Sequence, residues 1–87
     1  MLQVESIEYL NDYRIKALFN NGEAKVIDLS NHLNGEIFEP LKEKDYFKSF
    51  YFNDEIGTIC WNNGADIAPE FLYSIGQWIH AVKIKDY

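Results

Sequence analysis

From Tyr13 to Phe19, "YRIKALF", the apolar positions Ile15, Ala17 and Phe19 alternate with Lys16 and Leu18. A period of two is the signature of a strand with one buried face. "NNG" at Asn20 to Gly22 follows, with residues tolerant of positive φ, so a strand over 24–29 is expected to return antiparallel. In it Ala24, Val26 and Asp28 point one way and Lys25, Ile27 and Leu29 the other, which predicts a sheet covered on one face and patched with apolar area on the other. Upstream, Ile7 and Tyr9 alternate with Glu8 in "LQVESIEYL", and Asn11-Asp12 supplies a turn, so residues 2–10 read as a lead strand.

After Asp28 the pattern breaks. "LSNHLNGEIFEPL" carries Ser, Asn, Gly and Pro punctuation with isolated large apolar residues, and reads as a crossing segment anchored by Leu33, Phe38 and Leu41. Residues 42–49 are dense in helix formers with one apolar edge, Tyr46, Phe47 and Phe50, which predicts a short middle helix. "FYFND" and "TICWN" flank the turn "NDEIG", so 50–53 and 58–61 read as a second hairpin, with Ile59 and Trp61 on one face and Cys60 on the other. Pro69 suits a helix first turn and Gly76 a helix stop, bounding a helix at 69–75. "QWIHAVKIKDY" fits a helical continuation or an extended tail. The expected fold is α+β: a small antiparallel sheet of two hairpins plus a lead strand, a short middle helix and a C-terminal helix.

At 87 residues the chain is expected to form one domain, 1–87, whose core must use most of the apolar residues. Aromatic residues make up 16% of the chain, so this core should be rich in rings. The formal charge of −6 argues against phosphate-driven nucleic-acid binding and suits a basic or neutral protein partner, although such charge is also ordinary solubility chemistry. A single cysteine cannot close an intramolecular bridge, and Cys60, His32 and His80 have no zinc-ligand spacing, so no metal or other cofactor is expected. The N-terminus has no basic region followed by an apolar run, and no stretch approaches a membrane span. These features read as a cytoplasmic protein without membrane contact.

Two blocks, "VESIEYLNDYRIKALFNNGEAKVIDLS" and "GTICWNNGADIAPEFLY", together resemble the bacterial domain-of-unknown-function family 2442. The second block carries most of the resemblance: Gly57, Thr58, Ile59, Trp61, Asn63, Gly64, Ala65, Asp66, Ile67, Pro69, Glu70, Leu72 and Tyr73 match the family pattern in order. The similarity covers about residues 3–74 and leaves 75–87 as an extension; Asn62 replaces a proline common in the family. The resemblance implies a small α+β domain without catalytic residues to transfer. It also implies genes placed beside a second small family in toxin-antitoxin-like pairs.

Cys60 would be a nucleophile only beside a base, and core packing is its stronger reading. Asp66 and Glu70, four apart, could face one cleft as acid and base; the stronger reading has them satisfying the first turn of the helix, Asp66 as its cap. Asn62, Asn63 and Gly64 fit a tight turn between strand and helix better than an anion nest. Lys42, Lys44 and Lys48 are the sole support for a nucleic-acid reading. The rings are too many for all to be buried in so small a domain. Tyr51, Tyr73 and Trp78, with Asp66, are therefore the candidate partner contacts, and Gly57, Trp61, Asn63, Gly64, Asp66 and Pro69 the structural motif. The expected function is a non-catalytic protein-binding module, the antitoxin-like or regulatory half of a gene pair, whose partner is a neighbouring-gene product or a second copy. The alternative is a small ligand-binding domain or enzyme using Asp66 and Glu70.

Overall fold

The computed structural model describes residues 1–78. Strands β1 (Val4–Asn11), β2 (Arg14–Phe19) and β3 (Ala24–Asp28) form an antiparallel meander, extended on the β3 side by β6 (Gln77–Trp78), in the order β1-β2-β3-β6. The alternation in β2 is obeyed at every position: Ile15, Ala17 and Phe19 are fully buried while Arg14, Lys16 and Leu18 face solvent. β3 continues the two faces, with Lys25 and Ile27 inward.

β1 departs from a simple period of two. Val4 pairs with Phe19 and Ser6 with Leu18, so Glu5 is an extra residue in the ladder; a second irregularity falls between Tyr9 and Asn11. The first bulge brings Val4 onto the same face as Ile7 and Tyr9, which an unbroken strand would place on the opposite side. The N-terminal segment is tied down by Asn20, whose Oδ1 accepts from the Gln3 N–H at 3.0 Å and whose Nδ2 donates to the Met1 carbonyl at 2.8 Å.

The segment after β3 contains an element that the sequence pattern did not predict, a 3₁₀ helix over Glu36–Lys42. Helix α1 (Lys44–Phe47) follows and is shorter than the expected 42–49. The break lies at Glu43, which is extended and whose side chain accepts from the Tyr46 N–H at 2.9 Å, capping α1 and ending the preceding turn. Leu33 and Leu41 are buried and Phe38 half-buried, as anchors of this crossing.

Strands β4 (Tyr51–Asn53) and β5 (Thr58–Cys60) form a separate two-stranded sheet. It joins the main sheet where the Val4 N–H donates to the Gly57 carbonyl at 2.9 Å. Gly57 has φ of +69, and a Cβ there would lie 3.0 Å from the Gln3 side chain, so both its conformation and its space require glycine. Trp61 is buried between the layers, near the rings of Phe47 and Phe50, and its Nε1 donates to the Phe47 carbonyl at 2.9 Å. Trp61, Phe19 and Phe47 are the largest buried side chains, each worth on the order of 3 kcal/mol of burial. Helix α2 (Pro69–Ile75), with Pro69 in its first turn as expected, buries Leu72.

Gly76 ends α2, but not by the left-handed conformation common at helix ends. Its φ and ψ are −73 and 158, and a Cβ there would lie 2.9 Å from Lys25 Cβ and 3.0 Å from Ile27 Cγ1. The glycine lets the chain pass tightly against β3 before β6 pairs with it. The tail beyond α2 is thus extended at 77–78, and residues 79–87 lie outside the described residues.

Candidate partner-binding surface

The stretch "GTICWNNGAD" forms a second, tighter hairpin on β5. The Trp61 N–H donates to the Ala65 carbonyl at 2.9 Å, the Gly64 N–H to the Trp61 carbonyl at 3.0 Å, and Cys60 forms an antiparallel bridge with Asp66. Asn63 organises the turn with both ends of its amide: Oδ1 accepts from the Ala65 N–H at 3.0 Å, and Nδ2 donates to the Ile37 carbonyl at 2.9 Å. Gly64 supplies the positive φ, +93. The turn therefore reverses the chain along β5 rather than handing it directly to α2, and it pins the 3₁₀ helix to the small sheet.

Because Tyr51 pairs with Cys60 and Cys60 with Asp66, the three form one row across the small sheet, on the face opposite Ile59 and Trp61. Tyr51 is 44% exposed and Asp66 is exposed. Cys60 points to this face as expected, yet it is buried, as is its neighbour Thr58, whose hydroxyl donates to the Ile67 carbonyl. Burial, reinforced by the Asp66 charge, pushes the Cys60 thiol above its ordinary range. That is the environment of a packed, protonated thiol rather than an activated nucleophile.

Tyr73 and Trp78 form a different pair, joined by Lys25. Lys25 is only 6% exposed; its Nζ donates to the Tyr73 carbonyl at 2.8 Å and lies 3.6 Å from the Tyr73 ring centroid and 5.2 Å from that of Trp78. The Tyr73 hydroxyl donates to Glu23 Oε1, and this bond, ahead of burial, raises the phenol's pKa. Its ring also meets Phe19 edge-on at 5.1 Å. Tyr73 is thus an internal strut between α2 and the β2–β3 hairpin, whereas Trp78 is 48% exposed.

Asp66 does not cap α2. The N-cap residue is Ala68, without a side-chain cap hydrogen bond, because Asp66 is held two residues earlier by its strand bridge to Cys60. Glu70 lies in the first turn, on the favourable side of the helix dipole. Lys42, Lys44 and Lys48 are each engaged by a carboxylate, Glu39, Asp12 and Asp45 respectively.

Two shallow clefts, of about 300 and 280 Å³, flank the Arg14–Asp28 pair on the main sheet; His32, Ile75 and Gln77 line one, and Tyr13, Ser30 and Lys44 the other. Hydrogen bonds from Ser30, then the nearby Arg14 charge, hold the Asp28 carboxyl below its usual range. Neither cleft includes Asp66 or Glu70. Among the described residues no group of three His, Cys, Asp or Glu side chains is placed to hold a metal ion, and no helix is long and apolar enough to cross a membrane.

Sequence reasoning missed three exposed apolar residues: Ile37 (44% exposed) and Ile56 (47%) beside the small sheet, and Phe71 (40%) on α2, whose ring meets His32 edge-on at 5.3 Å. The sequence carries no signal for them: each directly follows an acid, Glu36, Glu55 or Glu70, but so do the buried Leu29 and Ile67.

The fold is that of a small α+β domain, with exposed apolar residues beside its hairpin motif. The chain belongs to the family described as a protein of unknown function (DUF2442), which it matches over residues 4–77. That match extends through the pairing of Gln77 with Val26, beyond the expected end near residue 74. No match was found among curated proteins or among solved structures.

Proposed function

We propose that the chain is a non-catalytic, cytoplasmic protein-binding module, the antitoxin-like or regulatory half of a bacterial gene pair. The observation that carries this reading is that exposed apolar side chains occur on the small sheet and the segments against it: Tyr51 in β4, Ile56 in the β4–β5 turn, and Ile37, whose carbonyl Asn63 holds. Apolar side chains scattered singly over a surface need no explanation, but a group on one layer is the usual mark of an interaction site. Tyr51 is the central candidate, because tyrosine is enriched among residues that dominate binding energy. Trp78, on the edge strand of the main sheet, is a further contact.

The test is co-expression with the product of the adjacent gene, followed by size-exclusion with light scattering. A one-to-one complex at about 10 µM supports the reading, and Tyr51→Ala is expected to weaken it by about tenfold or more, as loss of an interface hot spot does. Absence of a complex at that concentration would overturn the gene-pair assignment.

A further inference from the structure

Among the described residues, the excess negative charge is not spread evenly. Of the described basic side chains, Arg14, Lys16, Lys42, Lys44 and Lys48 are each in an ion pair, and Lys25 is buried against Tyr73. Their acidic partners are Glu8, Asp12, Asp28, Glu39 and Asp45, on the main sheet, its turns and the two helical turns that follow. Glu23 is bonded to Tyr73, and Glu43 caps α1.

Six carboxylates remain without such a partner among the described residues: Glu5, Glu36, Asp54, Glu55, Asp66 and Glu70, all exposed. All six are on or next to the small-sheet layer. Asp54 and Glu55 form the β4–β5 turn, and Asp66 bridges β5. Glu36 precedes Ile37, whose carbonyl is held by Asn63, and Glu5 follows Val4, which bonds Gly57. Glu70 begins α2, four residues beyond Asp66. The exposed apolar residues Ile37 and Ile56 directly follow Glu36 and Glu55 in the chain, and Tyr51 lies in the same cross-strand row as Asp66.

We infer that the small-sheet face docks a basic amphipathic protein segment, one that presents lysine or arginine alternating with apolar side chains. This rests on the protein-binding reading and names the chemistry of the partner. Charge complementarity selects the occupant. A second copy would bring its own unpaired carboxylates against these six, and a nucleic acid would bring phosphates; both juxtapositions are repulsive. A cationic segment neutralises the carboxylates while its apolar positions cover Tyr51 and its neighbours. Attraction between exposed charges of this kind accelerates encounter and weakens with salt.

The test uses the full chain and a fluorescein-labelled decapeptide of alternating lysine and leucine, read by fluorescence anisotropy, with a glutamate–leucine decapeptide as its reverse-charge counterpart. Saturable binding of the lysine peptide alone is expected, weakening at least tenfold between about 50 and 300 mM salt. The triple variant D54N/E55Q/D66N should lose about tenfold in affinity, while E8Q/E39Q/D45N, with the same change in net charge on paired carboxylates, should stay within about twofold. Thermal melts of both triples verify folding, and D66N alone provides the reading if the first triple does not fold. Equal losses from both triples, equal binding of the glutamate peptide, or a dimer that D66N strengthens would each overturn the inference. If the adjacent-gene product forms a complex that the first triple does not weaken, the basic-partner inference fails while the protein-binding reading stands.

Discussion

Replacing Gly76 with alanine sets two effects of opposite sign against each other. The φ and ψ of Gly76, −73 and 158, are open to any residue, so alanine costs nothing in backbone conformation. On that ground alone the substitution should stabilise by about 0.4–1 kcal/mol, because the unfolded chain has less freedom to lose. Against this stands the steric term: the new Cβ would lie 2.9 Å from Lys25 Cβ, 3.0 Å from Ile27 Cγ1 and 3.0 Å from Lys25 Cδ. Two of these atoms are close to the backbone of a strand that is hydrogen-bonded to β2, so they cannot swing aside as a side-chain tip would. Overpacking of this kind costs about 1–3 kcal/mol. The steric term wins, and Gly76→Ala should be destabilised by about 1 kcal/mol, lowering Tm by roughly 4–8 °C in a domain of this size. Thermal melts and urea titrations followed by far-UV circular dichroism measure it. A Tm equal to or above that of the unsubstituted chain would refute the argument that space, not conformation, fixes this glycine.

Trp61→Phe should destabilise by about 2–4 kcal/mol in urea titration, since it removes the hydrogen bond to the Phe47 carbonyl, leaves that acceptor only the long 3.4 Å bond from the Phe50 N–H and opens a cavity. Asn63→Ala should cost about 1–2 kcal/mol by the same assay, because one amide serves both the Ala65 N–H and the Ile37 carbonyl. Cys60 should react with a disulfide reagent at pH 8 at least about 100-fold more slowly in the native chain than in urea, and native labelling at the free-thiol rate would contradict its burial. Because folding raises this thiol's pKa, its stabilising contribution is complete below the unfolded value of about 8.5 and is lost as pH rises through the folded one. Asp28 has the opposite sign: its lowered pKa contributes stability above the unfolded carboxylate value of about 3.9, lost as pH falls through the folded one, and Asp28→Asn should flatten that acid limb of a Tm-against-pH profile.

The parts of the fold that could be read from the sequence are those in which one face of an element meets the core and the other meets water. β2 and β3 are such strands, and their alternation gave the two sets of side chains that share a face, although not that the set with Lys25 is the inward one, and β3 ends at Asp28, one residue before the expected end. β1 was harder because Glu5 interrupts its period, and a bulge is recognisable only against the partner strand. The 3₁₀ helix and the break at Glu43 depend on a side-chain cap and on packing of isolated anchors, neither of which leaves a periodic trace. Within the motif, the glycines and asparagines announced a turn, but its direction follows from the Trp61–Ala65 backbone bond, which places Asp66 beside Cys60 instead of at the start of α2. For the same reason the alignment of Tyr51 and Asp66 on either side of Cys60 was not legible: it spans two hairpins. Tyr73 was selected for its residue type, whereas its ring and hydroxyl are engaged by Lys25 and Glu23, residues 48 and 50 positions away in the chain.

The bulge at Glu5 also bears on how this protein survives at high concentration. β1 is the outermost strand of the main sheet, and a flat, regular outer strand would offer its free backbone groups to the strands of other molecules. Two irregularities within eight residues, together with exposed Glu5 and Glu8, deny an incoming strand a continuous ladder and place negative charge along it. Deleting Glu5 would straighten that rim and leave Val4 opposite Phe19, in plain alternation with Ser6 and Ile7, so the one extra residue is not what fills the interior; it is what keeps the molecules apart.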